Sequence, residues 1–152
     1  MNNFSETQVE AAHEAIDFLH SYDAKINDFL EAGRATPDVL AYLQDTHADW
    51  PAVWDQFMKA EAEGRTTTRQ PGWDAKTTPT EVMVTPEDSV VVTITRCIDP
   101  SKIADYIDGV AQLQPITGYY EQIVGLERDT TGTWKVSDIS TDPQATCDLP
   151  VG

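Results

Sequence analysis

Basic side chains are scarce in this chain: 10 Lys and Arg stand against 26 Asp and Glu, a formal net charge of −16 over 152 residues. A field of that sign repels phosphate backbones and anionic lipid surfaces, so nucleic-acid binding is not expected. No stretch approaches the ~20 apolar residues that a membrane-spanning helix needs. The start, Met1-Asn2-Asn3-Phe4, has neither the basic nor the apolar region of a signal peptide. Glycine is thin, eight residues spread over separate turns, and no Gly-rich loop is present to cradle a phosphate. A Gly-x-Ser-x-Gly elbow and a Cys–His pairing are missing too, which removes the common signatures of a catalytic nucleophile.

Cysteine is limited to Cys97 and Cys147, with no Cys-x-x-Cys spacing and no His nearby. Zinc and thioredoxin-like chemistry therefore fit poorly. A bridge between the two would close a loop of about 50 residues and stabilise the fold by roughly 4 kcal/mol through chain entropy. Such a bridge favours an extracytoplasmic protein, whereas two buried thiols would suit a cytosolic one. The missing leader fits either a cytosolic chain or a mature one whose leader has been removed.

What is present reads as helix first and strand after. Ser5-Glu6-Thr7-Gln8 is a capping box, followed by Ala12, Ala15, Leu19, Tyr22, Ile26, Phe29 and Leu30 at three- and four-residue steps. Phe18 and Ile16 fall at the edges of that stripe, and Gly33 supplies a stop. Thr36-Pro37-Asp38 opens a second helix with Val39, Leu40 and Leu43 inward, and a third begins near Trp50-Pro51 and ends at Gly64. Beyond Gly64 the pattern changes to alternation and β-branched runs. Strands are expected at Thr66–Gln70, Glu81–Thr85, Ser89–Cys97, Ile116–Arg128 and Trp134–Ser140, with a bulge at Gly118 or Gly125. Between Asp99 and Pro115, a hairpin at Asp108-Gly109 competes with a short helix over Ser101–Ile107. Helices followed by consecutive strands predict one α+β domain over residues 1–152, its N-terminal helices packed on an antiparallel sheet.

This order of elements carries a family resemblance. The quoted segments are Gly64-Arg65 at the end of the helical half, Val90–Asp99 ending in Cys97-Ile98-Asp99, and the turn Asp108-Gly109. Leu126-Glu127-Arg128, the strand opening Gly132-Thr133-Trp134-Lys135-Val136-Ser137-Asp138, and Cys147 complete them. Together they resemble the cystatin-like cone fold of nuclear transport factor two and its relatives, and within it small secreted or lipid-anchored actinobacterial proteins. The resemblance implies a curved sheet wrapped around the helices, a cone with an apolar interior, and a disulfide joining Cys97 to Cys147. It also implies an N-terminal leader or anchor that this chain lacks, and hence an extracytoplasmic location, secreted or in the cell envelope. The fold hosts isomerases, dehydratases, polyketide cyclases and non-catalytic adaptors, so the resemblance transfers no function.

Candidate sites are few. His13, Asp17 and His20 share one helix face at i, i+4 and i+7, a spacing able to hold a metal. They lie opposite the Leu19/Ile26 stripe and are expected in solvent, holding none. Inside a cone, the polar groups expected to point inward are Tyr22, Tyr106, Tyr119 and Tyr120, with Asp99 or Asp138 as a further candidate. His47, at a helix–loop boundary, is expected to be solvated. These groups make no acid–base pair, so no catalytic residue and no cofactor is assigned. Trp50, Trp54, Phe57, Trp73 and Trp134 could line a pocket but are expected in the core, Trp134 with Val136 on the inner face of the last strand. The leading expectation is a non-catalytic extracytoplasmic domain that binds a protein partner or a small apolar ligand, with the contacting residues unassigned. The alternative is a small cone-fold enzyme of the isomerase, cyclase or dehydratase kind, working through a buried polar pair.

Overall fold

The computed structural model of the chain describes residues 3–113 and 118–147. Helix α1 runs over Glu6–Ala32, α2 over Pro37–Thr46 and α3 over Trp50–Glu63. The capping box forms as expected: the Ser5 hydroxyl accepts from the Gln8 amide at 3.2 Å, and the Gln8 side chain accepts from the Ser5 amide at 2.8 Å. Thr36 caps α2 through its side chain, with Pro37 at the first helical position, where a missing N–H costs nothing.

Seven strands follow among the described residues: β1 (Arg65–Arg69), β2 (Asp74–Val84), β3 (Val90–Ile98), β4 (Ile103–Ile107), β5 (Val110–Ala111), β6 (Tyr120–Arg128) and β7 (Trp134–Asp142). All pairings between them are antiparallel, in the orders β1-β4-β5 and β2-β3-β6-β7. Three helices on two antiparallel sheets make an α+β fold, compatible with a cone. The expected strand Ile116–Arg128 is seen as β6 from Tyr120 onward, with Gly118 and Tyr119 ahead of it and residues 114–117 outside the described residues. At Asp108-Gly109 the hairpin prevails over the helix, because both residues take positive φ (49° and 80°) and pair Ile107 with Val110.

The two sheets are two stretches of one long hairpin. β1 gives way to β2 at Gln70-Pro71-Gly72-Trp73, and β3 gives way to β4 at Asp99 and a 3-10 turn over Pro100–Lys102. Pro71 presets the first turn position, and Gly72, at φ 91°, takes a conformation that a side chain would oppose. Trp73 N–H closes the turn on the Gln70 carbonyl. The two interruptions are clipped together by Gln70 N–H to the Lys102 carbonyl and Asp99 N–H to the Trp73 carbonyl, each 2.8 Å.

The first half of α1 covers the inner face of the larger sheet. Ala11, Ala12, Ala15 and Leu19 are buried with Val82, Val90, Val92, Leu126 and Val136. Trp134 joins this core as expected, stacked on Phe18 of α1 with centroids 6.5 Å apart. β2 forms one edge of the larger sheet, irregular at Asp74/Lys76 and at Pro79/Glu81. β7 forms the other edge, and there His47 bridges to Val136 while Ala48 N–H donates to the Val136 carbonyl at 2.8 Å.

A register shift occurs opposite Gly125, but the extra residue is Ser137 of β7. A Cβ on Gly125 would stand 2.8 Å from the Ser137 hydroxyl, so a side chain there requires Ser137 to shift. The bulge re-aims the rest of β7. Ile139 and Thr141 come opposite Val124 and Gln122, and both turn towards the interior.

Cys97 and Cys147 are bonded to each other. After β7 the chain passes over the end of β6, where Glu121 N–H donates to the Ala145 carbonyl, and reaches β3 through the bridge. Among the described residues, no helix is long and apolar enough to cross a membrane.

Candidate functional site

The alternation that buries Val90, Val92 and Ile94 on β3 brings the next inner position to Arg96, which is only 3% exposed. Across from it on β6, the row Leu126, Val124 arrives at Gln122. On α1 the stripe Leu19, Tyr22, Ile26 includes Asp23, four residues after Leu19 and 6% exposed. These three polar positions meet. Arg96 Nη1 donates to Asp23 Oδ2 at 2.6 Å, and Arg96 Nε donates to Gln122 Oε1 at 2.7 Å.

A second guanidinium lies beside the first. Arg69, the last residue of β1, donates through Nη1 to Asn27 Oδ1 of α1 at 3.2 Å. The Pro-Gly turn then places Trp73 beneath both arginines, with the Arg69 and Arg96 carbons 4.3 and 4.7 Å from the ring centroid. Such contacts contribute about 0.5–2 kcal/mol each, more as water is excluded. Asp23 is the carboxylate in an ion pair with Arg96; among the described residues none is within salt-bridge distance of Arg69. Arg69 Nε is buried and has no acceptor among them. A buried donor left unpaired costs about 1–3 kcal/mol, and more when the group is charged.

Above this floor a cavity of about 400 Å³ opens between α1, α3 and the end of the larger sheet. Ile26, Leu30, Val53, Phe57 and Ile139 give it apolar walls. Tyr22, Asp23, Arg69, Arg96 and Gln122 give it a polar floor, and Asp49, Gln56 and Asp138 also line it. The volume lies within the range of ordinary small-molecule sites, roughly 300–1,000 Å³.

Burial shifts the ionisable groups here. The Asp23 carboxyl is pushed up by burial, opposed by the charge and hydrogen bond of Arg96. The Tyr22 phenol is raised by burial and then by the Asp23 charge, so it remains a neutral hydroxyl. Burial draws Arg69 down, against the pull of Asp23.

The sequence expectations meet this site unevenly. Tyr22 points inward as expected, and Asp138 also lines the cavity but is exposed. Tyr119 is exposed, Tyr106 and Tyr120 are half-buried, and none of the three lines the cavity. Asp99 caps the 3-10 turn, accepting from the Ser101 amide at 3.0 Å. His13, Asp17 and His20 are exposed. Among the aromatics, Phe57 and Trp73 are buried, while Trp50 and Trp54 are half-buried against the core.

His47 requires correction: it is 5% exposed, not solvated. The backbone bridge to Val136 draws the end of α2 onto the sheet and sets the imidazole 6.2 Å from the Tyr22 ring, where it also lines the cavity. Its Nδ1 accepts from the Asp49 amide at 3.2 Å, and burial lowers its pKa from the ordinary 6.5 against the raising charges of Asp49 and Asp138.

The Asp23–Arg96 pair and Arg69 were missed because charged residues are read as exposed by default. The signal was nevertheless present, since Arg96 continues the alternation of Val90, Val92 and Ile94. The chain matches no protein-family model, and no curated protein is significantly similar to it.

Proposed function

We propose that this protein is a non-catalytic, extracytoplasmic binding domain of the cystatin-like cone fold that takes a small ligand into the cavity between α1, α3 and the sheet. The observation that carries the reading is the cavity itself, with apolar walls at Ile26, Leu30, Val53 and Phe57 over a floor of fixed polar groups. This combination suits a ligand with an apolar body and a polar end. The Cys97–Cys147 bridge supports an oxidising compartment.

The test is a small-molecule fragment screen followed by backbone amide shifts, on the wild-type protein and on Ala52→Trp. Ala52 is exposed on α3 and lines the cavity, so a bulky side chain there obstructs it without entering the core. Hits should cluster around Ile26, Leu30 and Phe57 and vanish in the variant. Hits scattered over the surface, or unchanged by Ala52→Trp, would exclude the cavity as a binding site.

A second reading, a small enzyme of the isomerase, cyclase or dehydratase kind, has one observation in its favour: Asp23 has a raised pKa and shares the cavity with the Tyr22 hydroxyl. Against it, Asp23 is held by Arg96 at 2.6 Å and is not free to take a proton from a substrate.

A further inference from the structure

We infer that the ligand carries a carboxylate, and that Arg69 receives it, with the apolar body of the ligand lying against Ile26, Leu30 and Phe57. The inference rests on the cavity being a binding site and adds the chemical class of its occupant.

The two arginines of the floor are not equivalent. Arg96 has its Nε on Gln122, one terminal nitrogen on Asp23 and its face on Trp73. Its charge is answered within the protein. Arg69 has the same aromatic surface beside it, but its one hydrogen bond among those described goes to the neutral Asn27, and its Nε has no acceptor. The chain carries a net charge of −16, yet none of the described carboxylates makes an ion pair with this guanidinium. Asp23 is already committed to Arg96. On the floor itself two guanidiniums share the one carboxylate of Asp23, while the other carboxylates of the lining, Asp49 and Asp138, are exposed and make an ion pair with neither. The Nε–H is sealed from solvent, so a carboxylate meets this guanidinium at its terminal nitrogens and pairs side by side with Nε and Nη2 only once the side chain shifts. A neutral amide of the same shape would present one acceptor and two donors, and it would leave the charge unanswered.

The acidic exterior opposes entry of any anion, so an apolar body is needed to hold one here. Free inorganic anions are repelled by the surface field, whereas a ligand with an apolar body gains burial on the cavity walls along with the charge interaction.

The experiment uses matched acid and amide probes: phenylacetate, 4-phenylbutyrate and hexanoate, each against its primary amide. Binding to the full chain is followed by backbone amide shifts and by the arginine Nε–H resonances. Each acid should bind about 10- to 100-fold more tightly than its amide, the difference expected of a hydrogen bond to a charged group. The Arg69 Nε–H signal should move on adding acid, while that of Arg96, already bonded to Gln122, stays in place. In Arg69→Gln, which keeps a donor for Asn27, the preference for the acid should disappear and amide binding should persist. The wild-type Nε–H measurement decides the matter even where that variant folds poorly. Equal binding of acid and amide within the cavity would overturn the carboxylate assignment and leave the binding site standing. An acid preference that survives Arg69→Gln would overturn the role of Arg69. No shift at any cavity residue with any probe would overturn the binding site and this inference together.

Discussion

The two ends of the interior are built on the same elements and do opposite things. At one end the first half of α1 lays Ala11, Ala12, Ala15 and Leu19 on Val82, Val92, Leu126 and Val136, all buried. At the other end the same helix and strands present Asp23, Arg96 and Gln122, with Arg69 and an open cavity of about 400 Å³ beside them. Small side chains on the helix let the apolar end close. Charge and bulk keep the polar end apart, and it is held by directed bonds and a disulfide. The contrast teaches that close apolar packing and fixed charge are divided along a single helix, about two turns apart.

The division is tested most severely at the closed end. Trp134→Ala removes a buried ring stacked on Phe18 and should cost about 3–5 kcal/mol, lowering the thermal midpoint by on the order of 10 °C. Cavity ligands should still bind the folded fraction. A weakened affinity in the folded protein, measured well below the midpoint, would show that the ends are not separable.

At the polar end the disulfide comes next. Replacing Cys97 and Cys147 together by Ser should cost roughly 4 kcal/mol by chain entropy, read from chemical denaturation against the oxidised wild type. Mass analysis should find no alkylatable thiol in the unreduced wild type.

The third test asks whether the ion pair supports the fold or only its own geometry. Arg96→Met strands Asp23 in a buried site and should cost about 3 kcal/mol, whereas Asp23→Leu with Arg96→Met should recover most of it. A double variant no better than the single one would mean that the pair stabilises beyond what apolar packing could supply.

The smallest effect is at the border between the ends. The pKa of His47 is lowered in the fold, so the unfolded chain takes up its proton first as pH falls below the ordinary 6.5. The stability contribution is full above that pH and lost on descending through the folded value. His47→Gln should flatten this part of the pH–stability curve, and an unchanged slope would show that the imidazole titrates as freely as in the unfolded chain.

The same division explains what was legible in the sequence. The closed end follows periodicity, and Leu19, Val92 and Trp134 fall where their spacing places them. The disulfide followed from two cysteines and a resemblance. The polar end was hidden for two reasons. Asp23 and Arg96 occupy core positions in both periodic patterns, but their partner is 73 residues away and gives no local sign. The Ser137 bulge then breaks the alternation of β7, so a strict period of two carries Asp138 and Ser140 inward where Ile139 and Thr141 belong. His47 escaped because the backbone pairing that buries it joins a helix end to a distant strand.

The borders of the larger sheet carry one further consequence. A bare strand edge invites another chain to pair with it, and repeated pairing of that kind ends in fibrils. On β2 the ladder is interrupted twice, and Pro79 has no N–H to offer a newcomer. On β7 the backbone at Val136 is already occupied by the His47–Ala48 segment. A chain so rich in threonine and valine strands therefore shields them at both margins, one by irregularity and the other by a cover from its own helical half.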